Sequence, residues 1–552
     1  MFSTEDVYSA QVIRSETVRE PNRYKRNRNI KTCKYIEGTL DRIVNAGKRM
    51  LLNTVLVTLV LAILVHFLLK AYTDARRDVD PEYLKQQAAA DSTRKPGESA
   101  VHRSPKLDWS QKLRVGLDIR WNHYKLRNGN MRDIWQLFMI GARKAEKGSR
   151  TCVWVENEEA SALQLNYRVN KVGQFLKKKN VEKLALRTSS FIRSMDVLTV
   201  VIACLVNQIT LCVFDDVQDA VGADFFVVEK SDRLHIEKDR HLLVNSDDPD
   251  SVREVIGDLH AGLDIFENHY DPDFDRGIAI QISHHADSLE PSVSFTQGNL
   301  VSAAASTLRH LPQAHAFRAT DKLAVVQSRE KTNENMMSDL VKILAALVAN
   351  CFIVLTTTDD WNIVNSYKPT IISVEQTNFA SMAPLASLKD DLNFWYKLRL
   401  RQCVAGLSMG IFSPIKHSQL RLIYIHRMAS LKEHINSNSL NEYRALLGSR
   451  LILENGYPNI AGPFLQSDFF DYRILAKSYQ YTYGSVCQSD EIKTVNASPL
   501  NSSVFVRGYN IGKIFNNVSN KNEAISNDGF MPIENISKGK WGVDGCLYLY
   551  TI

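Results

Sequence analysis

Several common chemistries are missing from this sequence. None of its 552 residues forms a Walker phosphate loop or a Gly-x-Ser-x-Gly elbow, so P-loop nucleotide hydrolysis and serine-hydrolase chemistry find no support. Cysteine is scarce and scattered, at positions 33, 152, 204, 212, 351, 403, 487 and 546. Several of these lie in apolar runs such as VIACLV and LCVF. That reads as reduced core thiols and excludes a disulfide framework or a spaced metal site. The histidines and acids between 260 and 285 match no zinc spacing, and NHYDPDFDRG lacks the Gly and closing Glu of a calcium loop. No metal and no cofactor is expected. Repeats and low-complexity tracts are absent from about residue 111 onward.

Long hydrophobic runs are also absent, with one exception. Residues 50–69 read MLLNTVLVTLVLAILVHFLL. Twenty residues with only Asn53 and His66 as strong polar interruptions suit a bilayer-spanning helix. The run lies too far from the start for a cleaved signal peptide. We therefore expect a basic tail over 1–49, a transmembrane helix over 50–70, a polar linker over 71–110 and a body over 111–552. The net charge of +7 is concentrated before the span. Arg23, Lys25, Arg26, Arg28 and Lys31 are candidates for anionic lipid headgroups, each adding roughly 1 kcal/mol near such a surface. No nucleic-acid partner is expected. The charge bias favours a cytosolic tail and a lumenal body; the unpaired thiols favour a cytosolic body.

The body alternates helical patterns with short apolar runs: TCVWVE, KLALRTS, VLTVVIACLV, ITLCVFDD, DFFVVEK, GIAIQIS, KLAVVQS, CFIVLTT, TIISVEQ, LRLIYIH and SVFVRG. Apolar runs interleaved with helices argue for buried, mostly parallel strands. The expected class is α/β, with layered sheets and helices behind one N-terminal transmembrane helix.

The order of these pieces resembles the large domain of the adenylate-forming (AMP-binding) superfamily, long-chain acyl-CoA synthetases in particular. GIAIQIS, HHADSLEPSVS and FTQGNLVSAAAS stand where the family has a strand, a Ser/Thr-Gly-rich loop ending in Pro-Lys-Gly, and a helix start. DKLAVVQS, then CFIVLTTTDDWNIVNSYKPTIISV, follow in family order. ENGYPNIAG stands for Gly-Tyr-Gly-x-Thr-Glu; VFVRGYN and VDGCLYLYTI close the match. The resemblance covers roughly 400 residues.

On that resemblance the catalytic chemistry is lost. Adenylation places charge on phosphate oxygens, and the family meets it with loop N–H groups, a lysine and a carboxylate-held metal. The relic loop here holds Ser283, His284, His285, Asp287, Ser288 and Pro291, followed by Thr296. It has no glycine and no lysine. Asp287 and Glu290 would repel polyphosphate, and Pro291 has no N–H to donate. Tyr457 fits the later motif, but Ala461 replaces the metal glutamate and Asn535 the ribose-binding aspartate. The chain ends at Ile552, where the family's hinge would lead to its small lysine-bearing C-terminal domain. No catalytic or cofactor-binding residue is therefore assigned.

The expected function is a membrane-anchored pseudoenzyme, with an acyl-CoA-synthetase-like domain serving lipid-related binding or a protein partner. The expected place is the endoplasmic reticulum membrane, the body cytosolic or lumenal. Two alternatives remain. One is a divergent ATP-dependent fatty acid–CoA ligase. The other is a type II lumenal glycoprotein of unrelated α/β fold, such as a glycosyltransferase.

Overall fold

A computed structural model describes residues 23–107, 111–120, 126–144, 151–216, 219–220, 222–230, 240–248, 250–257, 266, 277–284, 290–390, 392–429, 431, 433–475, 479–495, 502–515, 528–537 and 539–550. The chain divides into two units, Met1–Arg76 and Arg77–Ile552.

In the first unit a single helix runs over Arg23–Arg76. Its Gly38–Arg76 part is long and apolar enough to cross a membrane. The helix therefore extends past the expected 50–70 span on both sides and takes in part of the stretch expected as tail. The side chains of Arg23, Lys25, Arg26, Arg28 and Lys31 lie outside the described set.

The second unit contains three main sheets. The first has seven strands, in the order 241–243, 225–228, 183–187, 210–214, 278–283, 293–296 and 513–514. Its first five strands are parallel. The second has eleven strands, and its centre is six parallel strands: 450–455, 422–427, 371–375, 322–326, 352–356 and 151–155. The third has five strands and is antiparallel throughout. Among the described residues no helix lies between its three C-terminal strands, as antiparallel pairing allows.

Strand alternation makes the layers. Leu323, Val325, Ile353 and Leu355 of the large sheet share a core with Leu184, Leu186, Ile280 and Ile282 of the seven-stranded one. The helices Ala162–Lys178, Met195–Asn207, Gln297–Arg309 and Asn333–Ala349 pack in that core. The intervening residues Ala324, Val326, Val354, Ile372 and Val374 point to the opposite face and meet Phe379, Met382, Tyr443, Val504 and Val506. Burial on both faces explains why these strands read as unbroken apolar runs.

Two expectations need correction. VLTVVIACLV belongs with the helices: Met195–Asn207 starts at the Ser194 cap and stops at Gln208, which adopts a left-handed φ of 60°. All twelve residues from Met195 to Val206 are buried, and they are apolar on nearly every side. The run is core, and its ten-residue length already exceeded an ordinary buried strand. The stretch 71–110 is not a free linker. Residues 89–90 and 102–103 are strands of the third sheet. His102 stacks on Trp541, with ring centroids 3.8 Å apart and planes 10° apart.

Candidate functional site

Open parallel sheets bind ligands beyond the carboxyl ends of their strands. In this body those ends converge on the N-terminus of the helix Asn333–Ala349. That helix starts with a reciprocal cap between Thr332 and Asn335. Its first two residues, Asn333 and Glu334, are both buried and face two different parts of the site.

Asn333 holds the relic loop. The strand Ile278–Ser283 ends at His284, whose imidazole is almost wholly buried. His284 Nδ1 lies 2.6 Å from Asp215 Oδ2, at the end of the neighbouring strand. Its Nε2 lies 2.7 Å from Asn333 Oδ1 and 3.5 Å from Glu290 Oε2. Asn333 Nδ2 donates to the Pro291 carbonyl at 2.9 Å, and the Asn333 backbone N–H donates to Glu290 Oε2 at 3.0 Å. Burial alone would lower the His284 pKa, but the Asp215 and Asn333 hydrogen bonds outweigh it and hold the imidazole above its ordinary range. The His284 hydrogen bond holds Asp215 below the usual carboxylate range. Burial raises Glu290.

Glu334 faces the second motif. Its Oε2 accepts from the Ala429 N–H at 2.9 Å. Burial pushes its carboxyl up to about 8, with Glu290 and Glu375 adding to the rise. His426, at the end of the strand Leu422–Arg427, is buried with neither ring nitrogen hydrogen-bonded. Burial, reinforced by Lys342, lowers it to about 3. Glu375 ends the strand Ile371–Glu375, and one of its carboxylate oxygens is buried without a partner.

The structure thus brings together most of the described relic residues. Ser283, His284 and Pro291 lie on the Asn333 side. Gly456 and Tyr457 lie on the Glu334 side. Thr296 accepts from Asn299 N and forms a capping box at the start of the helix Gln297–Arg309, as the Thr-x-Gly-Asn-Leu pattern indicates. Ala461 is buried and donates its N–H to the Asn510 carbonyl at 2.9 Å. Asn535 lies in the strand Met531–Ser537 of the third sheet, its side chain outside the described set. His285, Asp287 and Ser288 lie outside the described residues.

Five residues of the site escaped the sequence reading: Asp215, Asn333, Glu334, Glu375 and His426. A usable signal existed for four of them. Asp215, Glu375 and His426 directly end apolar runs, FDD, IISVE and LIYIH, and Asn333 sits in the Thr-x-x-Asn cap.

Chemically, the crevice gathers carboxyl groups. Three carboxyl groups, Glu290, Glu334 and Glu375, interact across it. The nearby cations are engaged elsewhere: Lys331 Nζ is 3.4 Å from Asp339 Oδ2, and Arg427 bonds the Leu431 carbonyl and lies over the Tyr481 ring. Among the described residues no group of three or more His, Cys, Asp or Glu could hold a metal ion.

Layered parallel sheets, this strand order and a crevice at their carboxyl ends define the fold of the large domain of adenylate-forming enzymes. The comparisons agree. The body is similar in structure to a luciferase-like enzyme from the nonluminescent mealworm Zophobas morio, with TM-score 0.55 and 10% identity over 80% of this chain and 99% of that one. A long-chain-fatty-acid-CoA ligase from Archaeoglobus fulgidus gives 0.55 at 12% identity, over 76% of this chain and 84% of that one. The unliganded O-succinylbenzoate coenzyme A synthetase of Bacillus subtilis gives 0.52 at 17%, over 75% and 78%. In sequence, the chain is 25% identical over 569 aligned positions to an uncharacterized Saccharomyces cerevisiae protein, YHR045W, across 91% of this chain and 99% of that protein. No family model matches. The glycosyltransferase alternative required an unrelated α/β fold and is set aside by the fold found.

Proposed function

We propose that this chain is a membrane-anchored, non-catalytic relative of the acyl-activating enzymes. Its body uses the scaffold to bind a lipid or a protein. One observation carries the reading: the carboxylate of Glu290 occupies the N-terminus of the helix Asn333–Ala349. A helix N-terminus with free N–H groups is a natural phosphate seat. Here an internal anion has taken it, with Glu334 and Glu375 behind. A triphosphate entering the crevice would displace a hydrogen-bonded carboxylate and then meet Glu334 and Glu375, neither of which supplies a cation. Anchoring through the apolar helix belongs to the same proposal, as does an endoplasmic reticulum location with the body on the cytosolic side.

The test is a titration of the full chain, purified in detergent, with Mg-ATP and Mg-AMP, read by calorimetry and thermal shift. It is paired with an assay for fatty-acid-dependent pyrophosphate release. The expected result is no heat, no shift and no turnover. Saturable ATP binding with pyrophosphate release would instead establish the divergent ligase.

A further inference from the structure

The exposed apolar side chains of the body are unevenly placed. Outside one region the described ones stand singly along the chain, as at Leu126, Ile363 and Val543. In the helix Phe394–Ser408 they cluster. Phe394 and Trp395 are each 73% exposed, Leu398 is 41% exposed, and the Phe394 and Trp395 rings meet edge to face.

The helix is not loosely attached. Leu400, Cys403 and Leu407 bury one face in a local core with Ala445 and Tyr472. At 100° per residue, Phe394, Leu398 and Ala405 fall on the opposite face, with Trp395 beside them. Arg401 falls on this face as well, Lys397 and Arg399 border it, and all three are exposed. Among the described residues no carboxylate pairs with any of them. An aromatic and aliphatic face rimmed by unpaired cations is the composition of a helix that lies in a lipid interface.

The position of the helix names the surface. Its C-terminal end is bonded to the first residues of the body: Arg77 Nε donates to the Met409 carbonyl at 2.9 Å, and Asp78 N to the Gly410 carbonyl at 3.1 Å. Arg77 comes eight residues after Leu69, the last of the apolar run. The aromatic end of a helix of this length lies only ~20 Å along its axis from that junction.

We propose that the helix Phe394–Ser408 is a second membrane contact. Phe394, Trp395 and Leu398 enter the interface of a bilayer containing anionic phospholipid, and Lys397, Arg399 and Arg401 meet its headgroups. The inference rests on the anchored reading above and goes beyond it, because a span alone leaves the body free to swivel. Two contacts would fix which face of the body is turned to the lipid.

The test uses the full chain reconstituted into vesicles of phosphatidylcholine with brominated acyl chains, with and without phosphatidylserine. The emission of Trp395 is taken as the difference between wild type and W395F. That conservative change at an exposed site leaves the fold intact. The expected result is bromolipid quenching and a blue shift of this component when phosphatidylserine is present. The combined K397E, R399E and R401E changes should lose the quenching while the chain stays on the vesicles. Vesicle-bound chain whose Trp395 is unquenched and open to iodide overturns the second contact and leaves the anchor standing. Shielding from iodide without bromolipid quenching also overturns it, in favour of a protein partner or a second copy of the chain. Failure of the wild-type chain to stay with vesicles at all overturns the anchor and this contact together.

Discussion

Glu334 and His426 both face the bare Cα of Gly456. A methyl group on Gly456 would lie 2.5 Å from His426 Cε1 and 3.6 Å from Glu334 Oε2. One side chain is a buried acid raised to about 8, the other a buried imidazole lowered to about 3. Both are neutral near pH 7.

The acid makes stability depend on pH in a definite direction. Glu334 keeps its proton in the folded chain up to about 8, against an ordinary value of 4.5. The unfolded chain therefore ionises first, and stability falls as pH rises from 4.5 to about 8. His426 acts in the opposite sense below 6.5, where only the unfolded imidazole takes a proton. Above 6.5 it is neutral in both states and drops out. His284, held above its ordinary range by Asp215 and Asn333, adds to the fall as pH rises from 6.5 through its folded pKa, and contributes nothing further above it. Denaturation of E334Q between pH 6.5 and 8 should show a markedly shallower loss than wild type. Wild type should lose on the order of 2 kcal/mol across that window at this site. Equal slopes in the two proteins would mean that Glu334 is already ionised.

Crowding at Gly456 gives a second prediction. Its φ is not positive, so an alanine there is opposed by His426 and not by the backbone. G456A should cost about 1–3 kcal/mol, as overpacking does. In an H426A background most of that cost should vanish. A double-mutant cycle should therefore give a coupling of about 1–2 kcal/mol. Additive effects would show that the imidazole does not fill the space above Gly456.

How far these features were legible in the sequence depended on the range of the interaction. KLAVV and IISVE read correctly as strands because burial on both faces removes every polar residue. Thr296 announced its helix because a cap needs only three residues of context. Glu290 was read as a charge that repels phosphate. Its hydrogen bond to Asn333, 43 residues away, has no local signature. Residues 71–110 looked like a linker because they are polar and broken by Pro and Gly. Their strands are two residues long and borrow their register from Asp490–Val495, too short for any period to appear. VLTVVIACLV has no period either, since every side is buried, and only its length distinguishes it from a strand.

The ion pair beneath the crevice gives the third prediction. Lys342 and Glu454 are 1% and 0% exposed and joined by a hydrogen bond. The Tyr424 ring lies 4.0 Å from Lys342 Nζ. Burial raises the Glu454 carboxyl, and Lys342 opposes that rise. The second oxygen of Glu454 has no hydrogen-bond partner, so the pair is held mainly by mutual attraction. Removing one partner leaves an uncompensated buried charge; removing both leaves none. K342M should therefore cost about 3–5 kcal/mol, and E454L a similar amount. The double variant K342M/E454L should recover most of the loss, because apolar replacements of similar volume are often as stable as a buried pair. Urea denaturation of the full chain in detergent, followed by tryptophan emission, measures all four proteins. A double variant as unstable as the sum of its parents would show that the two charges do not depend on each other, and that Lys342 has some other buried partner.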